Sequence, residues 1–384
     1  MSLLPTPTPE ALAHSARLVG LIRVEMDAAG GWLGFDRYMD LALYAPGLGY
    51  YSAGLDKFGA GGDFVTAPEL SPLFGRCLAR QIAQVLAATG GDILELGAGS
   101  GKLAVDVLKE LDRLECLPER YLILDVSNNL REKQKIAVSS GLSKRIAQKV
   151  AWIDALPHAF TGVVLGNEVL DALPAHIVSC DNGGLRERGV AFDQGHLVWS
   201  DRMLGAGPLH TAATTLDLPP GHVSEVGLAA RGLMASLAGM LDNGVALMAD
   251  YGFPAREYYH PHRAQGTLMC HYRHYAHDDP FLYPGLQDIT AHVDFSAMAT
   301  ASFANGAELL GYTSQAQFLI NCGITDLLSE TSPADAAAFL PLAAQAQKLL
   351  SPAEMGELFK VIAVGKGTDF PLLGFARGDK RHAL

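Results

Sequence analysis

The sequence lacks several features that would place it in a membrane or outside the cell. No run of about 18 apolar residues, the minimum for a membrane-spanning helix, occurs in its 384 residues. The five cysteines are scattered and never spaced Cys-x-x-Cys, which is typical of reduced thiols. The N-terminus has neither a signal-peptide apolar core nor the acid-poor composition of a transit peptide. We therefore predict a cytoplasmic protein with no membrane span.

Basic residues are also scarce. The 29 Lys and Arg residues against 41 Asp and Glu residues give a net charge of -12. Sequence-independent binding of nucleic acid needs a basic surface, so we predict no nucleic-acid partner. Apolar residues make up 49% of the chain and charged residues 18%. This composition supports a large core and excludes intrinsic disorder.

The most informative stretch is residues 92–103, Asp-Ile-Leu-Glu-Leu-Gly-Ala-Gly-Ser-Gly-Lys-Leu. An apolar run ends near Glu95, glycines follow at alternate positions, and an amphipathic helix pattern comes next. This order indicates the strand, turn and helix that begin a doubly wound α/β unit. Gly97, Gly99 and Gly101 would let the backbone bend and approach a ligand. A tight turn without a ligand is the alternative.

Two phosphate-binding motifs are excluded by the residues around these glycines. A P-loop needs glycine at the position of Leu96 and Ser or Thr at that of Leu103. The dinucleotide fingerprint needs glycine where Lys102 stands. The pattern Glu-x-Gly-x-Gly-x-Gly instead resembles motif I of the class I S-adenosylmethionine (SAM) methyltransferases.

Acidic residues end three more predicted strands. Asp125 follows the apolar run 121–124, where an α/β nucleotide site places a carboxylate on ribose hydroxyls. A helix N-cap or a loop aspartate is the alternative. Asp250 ends the fifth predicted strand and is either a ligand contact or a turn-forming residue.

The fourth predicted strand, 162–168, ends in polar residues at its carboxyl end, where open α/β sheets bind ligands. Asn167, Glu168 and Asp171 are therefore candidates for substrate chemistry. Glu168 and Asp171 have the spacing that shares one face of a helical turn. Alternatively, Asp171 caps the next turn and only Glu168 lines the site.

The alternation of predicted strands and helices, and the places where it is interrupted, predict an order of segments along the chain. These are an N-terminal helix and cap (1–65), a Rossmann-like core (66–252) with an antiparallel insertion (about 175–200), an inserted lid (253–290), completion of the core with a helical insertion (291–366), and a C-terminal tail (367–384). We expect residues 30–65 and the lid to cover the active site. Thr66 and Glu69 have capping-box spacing, and a helix is predicted over 225–241.

The lid is rich in histidine but matches no metal-binding pattern. Its histidines are His260, His262, His271, His274 and His277. Their spacings fit neither a zinc finger nor His-Glu-x-x-His. We therefore predict no metal and assign these side chains to packing or substrate contact.

Together, the motifs between about residues 14 and 366 resemble the MidA-type family of class I methyltransferases, which includes a mitochondrial complex I assembly factor that methylates an arginine. The matching stretches are 49–51, 62–69, 74–75, 95–101, 167–174, 250–252, 266–268, 288–295, 317–319 and 355–360. The resemblance implies a seven-stranded doubly wound sheet with SAM as cofactor. One departure is Asp125, where we expect the family to carry Glu.

The resemblance also implies roles for the candidate residues. Glu95, Gly97, Gly99, Gly101 and Asp125 would bind SAM. Carboxylates after the fourth strand would hold a cationic guanidinium with one nitrogen left to attack the methyl group.

The expected partner is accordingly a protein arginine, in a complex I type subunit or a similar protein. The alternatives are an assembly factor without catalysis and a small-molecule methyltransferase. The Asn/Asp-Pro-Pro-Tyr/Phe pattern is absent at the fourth strand end, which weighs against a nucleic-acid base as substrate. The sequence carries no signal for an oligomeric state.

Overall fold

The structure is a computed structural model that describes residues 4–53 and 65–384. Its chain forms two compact units. The first, called the antiparallel unit, comprises Met1–Phe64, Leu170–Gly232 and Phe253–Asp294; the second, called the parallel-sheet unit, comprises Val65–Val169, Leu233–Gly252 and Phe295–Leu384. The Gly-Asp-Phe part of the family motifs, at 62–64, lies outside the described residues. The predicted segment boundaries, and the predicted cover over the active site, stay predictions.

The helices and strands of the described residues are as follows. The helices are α1 (Pro9–Ala28), α2 (Phe35–Tyr44), α3 (Ala67–Leu70), α4 (Pro72–Thr89), α5 (Lys102–Arg113), α6 (Asn128–Gly141), α7 (Lys144–Ala147), α8 (Pro208–Ala213), α9 (Leu228–Met240), α10 (Ala255–Tyr258), α11 (Phe295–Ala304), α12 (Gln315–Asn321), α13 (Ile324–Ser329) and α14 (Ala336–Leu350). The strands are β1 (Leu33–Gly34), β2 (Asp92–Leu96), β3 (Tyr121–Leu124), β4 (Val150–Ile153), β5 (Phe160–Asn167), β6 (His176–Asp181), β7 (Gly184–Asp193), β8 (His196–Met203), β9 (Val223–Val226), β10 (Leu241–Phe253), β11 (Met269–Tyr272), β12 (Tyr275–His277), β13 (Asp288–Thr290), β14 (Val293–Asp294), β15 (Glu308–Ser314) and β16 (Phe359–Lys366).

The main sheet of the parallel-sheet unit has the strand order β15-β16-β10-β5-β2-β3-β4. The five strands from β10 to β4 pair in parallel. Strand β16 runs antiparallel to both of its neighbours, β10 and β15. The predicted seven-stranded doubly wound α/β fold is therefore confirmed.

Burial on both faces explains why the central strands read as continuous apolar runs. Every residue of β2 is buried, as parallel strands covered by helices on both sides require. Helix α5 buries Leu103, Val107 and Leu111, and α4 buries Ile82 and Val85, in the same core cluster. Each such side chain contributes roughly 1.5–3 kcal/mol when it leaves water.

The register of the parallel strands brings their carboxyl ends to one edge. Leu96 of β2 pairs with Leu124 of β3 and with Gly166 of β5. The residues that follow these pairs, including Asp125 and Asn167, therefore lie along the same edge. This edge is where open α/β sheets bind their ligands.

The antiparallel unit contains two sheets. One has the order β1-β7-β6-β9, with β8 also paired to β7, and the other has the order β12-β11-β13. Helices α1 and α2 bury apolar side chains, among them Leu18, Ile22 and Phe35, in a core cluster of this unit. Among the helices that the structure describes, none combines the length and the apolar character needed to cross a membrane.

The predicted helix over 225–241 begins too early in the sequence. Glu225 lies in β9, and the helix starts at Leu228. The buried Glu225 carboxylate accepts hydrogen bonds from the backbone N–H groups of Thr267 (3.0 Å) and Leu268 (3.1 Å) and from the Tyr258 hydroxyl (3.2 Å). Charge-assisted hydrogen bonds of this kind stabilise the strand position of Glu225 by more than its helix propensity, roughly a few tenths of a kcal/mol, stabilises a helix.

Candidate functional site

The glycines after β2 have backbone conformations that other residues avoid. Gly97, Gly99 and Gly101 have φ values of 59°, 53° and 84°. A side chain in the left-handed region costs roughly 1–2 kcal/mol. Gly101 is also the N-cap of α5, and a Cβ there would lie 3.0 Å from the Cα atom of Gln134. The turn therefore needs glycine for both conformation and space.

Ser100 connects this turn to the short helix α3. Its hydroxyl donates a hydrogen bond to the Glu69 carboxylate and accepts one from the Lys102 backbone N–H (3.3 Å). Thr66 occupies the N-cap position of α3 but makes no side-chain capping bond. The predicted capping-box role of Glu69 is therefore wrong, because its carboxylate binds the glycine turn instead.

Glu95 is a carboxylic acid in the middle of the sheet. Its side chain is 2% exposed, and its Oε2 atom accepts a hydrogen bond from the Tyr121 hydroxyl (2.7 Å). Burial raises the pKa of Glu95 to about 7; the Tyr121 hydrogen bond opposes this shift, and the charge of Asp125 adds to it. A carboxyl group with a pKa near neutrality is a feature of functional sites.

Asp125 is buried at the end of β3 with both carboxylate oxygens in hydrogen bonds. Oδ1 accepts from the backbone N–H of Ser127 (2.8 Å), and Oδ2 accepts from the Gln134 side chain (2.7 Å). The N-cap of α6 is Ser127, whose hydroxyl accepts from Leu130 N–H. The N-cap alternative for Asp125 therefore does not hold, and its carboxylate is oriented at the carboxyl edge of the sheet.

Sequence reasoning missed Gln134. This side chain on α6 is fully buried. Its amide nitrogen donates to Asp125 and to the backbone oxygen of Gly99 (3.1 Å), and its amide oxygen accepts from the Trp152 indole N–H (2.9 Å). A glutamine within a polar helix carries no periodic signal, so only the fold reveals these contacts.

Asn167 is the last residue of β5, and Glu168 follows it with an unusual backbone conformation. Glu168 has a φ of 53°, and its N–H donates to the backbone oxygen of Ala249 on the neighbouring strand (2.9 Å). The Asn167 amide donates to the Glu168 carboxylate (3.0 Å). Strained backbone of this kind points to function when the surrounding structure maintains it. Glu168 lies in a bend and Asp171 in a turn, so the predicted shared helical face does not form.

Asp250 lies within β10, three residues before its end, and pairs with Lys360, so the turn-forming alternative does not hold. Its buried carboxylate accepts hydrogen bonds from the backbone N–H groups of Tyr251 (2.9 Å) and Val169 (3.2 Å). The side chain therefore joins β10 to the segment after β5. This contact supports the backbone next to Glu168.

Asp171 belongs to the antiparallel unit and is buried near aromatic rings. The Tyr51 hydroxyl contacts both carboxylate oxygens of Asp288 (3.0 and 3.1 Å), and the rings of Tyr44 and Tyr51 stack with their centroids 5.5 Å apart. Burial raises the pKa of Tyr51 well above its usual value, and the charges of Asp288 and Asp171 contribute. Asp171 and Asp288 thus share one acidic and aromatic cluster, of which the sequence predicted only Asp171.

The lid histidines do not take part in the one possible metal-ligand group found among the described residues. That group consists of Asp36, His176 and Glu187, whose ligand atoms lie within 4.8 Å of one another. His176 Nδ1 lies 3.3 Å from Asp36 Oδ1 and 3.2 Å from Glu187 Oε1. These distances are also those of an ordinary histidine–carboxylate contact.

Comparison with known proteins gives matches over most of the chain. Residues 77–313 match the model of a family of S-adenosyl-L-methionine-dependent methyltransferases. The whole chain is similar to the crystal structure of a COG1565 superfamily member from Burkholderia thailandensis bound to S-adenosyl-homocysteine. That similarity has a TM-score of 0.96 and 52% sequence identity over 100% of both chains.

Two curated relatives share about 30% of the aligned residues. The chain is 30% identical to protein arginine methyltransferase NDUFAF7 of Xenopus tropicalis, over 88% of this chain and 85% of the relative. It is 29% identical to the protein of the same name from Danio rerio, over 90% of this chain and 89% of the relative. Both relatives are named as mitochondrial, which contradicts the predicted cytoplasmic location. The scattered thiols indicated a reducing compartment, and thiol chemistry does not distinguish one such compartment from another.

Burial of the Glu95 carboxyl group predicts that the wild type and Glu95→Gln differ in stability by an amount that depends on pH. Because its pKa is raised from 4.5 to about 7 in the fold, the uncharged form is favoured. The contribution of the uncharged Glu95 carboxyl group to the free energy of unfolding is fully present below pH 4.5 and is lost as the pH rises through about 7. Glu95→Gln stays uncharged, so at about pH 8 it should be more stable than the wild type by up to about 3 kcal/mol.

Urea unfolding at several pH values measures this difference. The advantage of Glu95→Gln should shrink toward zero as the pH falls from about 8 to about 4.5. Glu119→Gln, at an exposed position of the same unit, is the control and should follow the wild type throughout. Parallel stability curves for the wild type and Glu95→Gln would show that the Glu95 carboxylate is not destabilised by burial.

Proposed function

Because the chain belongs to the family of S-adenosyl-L-methionine-dependent methyltransferases, we propose that it methylates an arginine side chain of a protein. The relatives named protein arginine methyltransferases support this acceptor. The structural observation that carries the proposal is the strained Glu168 at the end of β5, next to Asn167. A complex I type subunit is the proposed partner, on the family resemblance.

The cofactor residues that we propose are Glu95, Gly97, Gly99, Gly101 and Asp125. SAM supplies a methyl group on a positively charged sulfur. The buried, oriented carboxylate of Asp125 is suited to accept hydrogen bonds from the ribose hydroxyls. The glycine turn lets a ligand approach its backbone without an intervening Cβ, which suits the amino acid end of SAM. Glu95 supports the turn from within the sheet.

The substrate residues that we propose are Glu168, Asn167 and Asp171. A guanidinium is a planar, delocalised cation with several N–H donors, so carboxylates can hold it while one nitrogen approaches the methyl group. Positioning the attacking atom about 3–3.5 Å from the methyl supplies much of the rate. Asn167 fixes the Glu168 carboxylate by a hydrogen bond. The rings beside Asp171 in its own unit also favour a cation.

The net charge of -12 supports a cationic acceptor as well. An acidic protein attracts a basic segment and speeds the encounter between the two. A neutral small-molecule acceptor would gain nothing from this charge. The charge and the buried carboxylates therefore favour the arginine substrate over the small-molecule alternative.

The proposed function predicts that the protein labels another protein. With tritiated SAM, the purified enzyme should transfer label to a protein band in a lysate of cells that lack its gene, and hydrolysis of that band should yield methylated arginine. Gly99→Val is the control, because a branched side chain would block the close backbone approach. Label in small molecules alone would support the small-molecule alternative, and no transfer to any acceptor would support the assembly factor.

The proposed function predicts that Glu168→Gln lowers the rate of methyl transfer without weakening cofactor binding. The amide keeps the size of the side chain but removes the charge that holds the guanidinium, worth roughly 1.5–3 kcal/mol. Methyl transfer should therefore fall on the order of tenfold to a hundredfold, while the SAM dissociation constant measured by calorimetry should stay within about twofold.

The melting temperature shows whether a lower rate in Glu168→Gln arises from a loss of stability. Glu168→Gln leaves the same non-glycine backbone at residue 168, so its melting temperature should match that of the wild type. Asp171→Asn should show a smaller loss of rate if Asp171 is a second clamp, and a lower melting temperature with unchanged rate if it is structural. A wild-type rate for Glu168→Gln would contradict the role of its charge.

A further inference from the structure

Gln134 is a buried polar residue that the proposed catalytic roles do not use. It lies on α6, two turns into the helix that follows Asp125. Its side chain nevertheless touches three separate parts of the parallel-sheet unit: the Asp125 carboxylate, the backbone of Gly99 in the glycine turn, and Trp152 on β4. Two of these three belong to the proposed cofactor site.

The contact with Trp152 fixes which way the Gln134 amide points. An indole N–H only donates hydrogen bonds, so the atom that it faces must be the amide oxygen. The amide nitrogen then faces the opposite way, with its two N–H groups available to two acceptors. Those acceptors are Asp125 Oδ2 (2.7 Å) and the Gly99 carbonyl oxygen (3.1 Å).

This arrangement joins the two halves of the cofactor site. Asp125 follows β3, whereas Gly99 lies in the turn after β2. Helix α5 and strand β3 separate the two residues along the chain. One amide group that donates to both sets the distance between the carboxylate and the turn. Gly101 adds to this, because its lack of a Cβ lets the turn pack against the Gln134 backbone.

We propose that Gln134 is a positioning residue, which holds Asp125 and the glycine turn in the arrangement that binds the adenosyl part of the cofactor. The inference rests on the proposed cofactor site. Gln134 acts through Asp125 and Gly99 and has no contact of its own with the reacting atoms. A residue of this kind raises affinity because the site is already ordered before the cofactor arrives.

The other explanation is that Gln134 only satisfies hydrogen bonds in the core. Gln81 provides a matched comparison within the same unit. It is also fully buried, its amide nitrogen donates to Gln84 (2.9 Å), and its amide oxygen accepts from the Gly374 N–H (2.8 Å). Gln81 therefore has the same chemistry and burial, and neither of the two atoms that bond to its side chain belongs to the proposed cofactor site.

The test is a double-mutant cycle on binding of S-adenosyl-homocysteine, measured by calorimetry. The variants are Gln134→Met, Asp125→Ala and their combination, with Gln81→Met as the control. Gln134→Met should weaken binding on the order of tenfold to a hundredfold. In the Asp125→Ala background the same change should weaken binding much less, because residues that act as a unit are not additive. Gln81→Met should lose stability with unchanged affinity.

The outcomes separate the inference from the proposed function. Unchanged affinity in Asp125→Ala would contradict the cofactor site itself. Reduced affinity in Asp125→Ala with unchanged affinity in Gln134→Met, or two effects that simply add, would overturn the positioning role. If Gln134→Met does not fold, Gln134→Glu keeps the size and the acceptor for Trp152, and in its ionised form should weaken binding at least as much.

Tryptophan fluorescence gives a second readout that a general loss of stability would not move. Trp152 donates to the Gln134 amide, which also donates to Asp125, so S-adenosyl-homocysteine bound at Asp125 should change the Trp152 emission through this amide. The change should be present in the wild type and in Gln81→Met and absent in Gln134→Met at saturating ligand. A ligand-induced change of equal size in Gln134→Met would contradict the link between Gln134 and the cofactor site.

Discussion

The parallel pairing of β2 with β3 on one side and β5 on the other is the constraint on which the proposed cofactor site depends. This register makes the three strands end at one edge. The glycine turn, Asp125 and Asn167 then follow from adjacent strand ends, although they are far apart in the sequence. Side chains of α6 and α3 hold this edge in place, through Gln134 and Glu69.

Buried acids at this edge are costly, and the cost fits the proposed chemistry. Removing a carboxylate from water is unfavourable unless hydrogen bonds compensate. Glu95 has one such bond from Tyr121 and an elevated pKa, whereas Asp125 is held by Ser127 and Gln134. Carboxylates concentrated in this way favour a positively charged ligand. SAM carries a sulfonium and the proposed acceptor a guanidinium, so both cofactor and substrate supply that charge.

The sequence predicted the features that local pattern encodes. Apolar runs closed by acids predicted the strands, and alternating glycines predicted the turn, so the position of Asp125 after β3 was predicted without the fold. Contacts between distant residues were not accessible: Glu69 matched a capping box, but Ser100, 31 positions away, is its partner. Glu225 matched a helix start, but a backbone segment more than forty residues later binds it. Gln134 has no signal in the sequence because its role depends on three elements meeting.

Hydrogen exchange with and without S-adenosyl-homocysteine tests the central claim, that the cofactor binds at the joined ends of β2 and β3. Binding should slow exchange at the backbone amides of 97–102 and 126–130 in the wild-type protein. Gly99→Val should keep its overall protection but show no ligand-dependent change in either segment. Protection that arises elsewhere, with both segments unaffected in the wild type, would contradict the account.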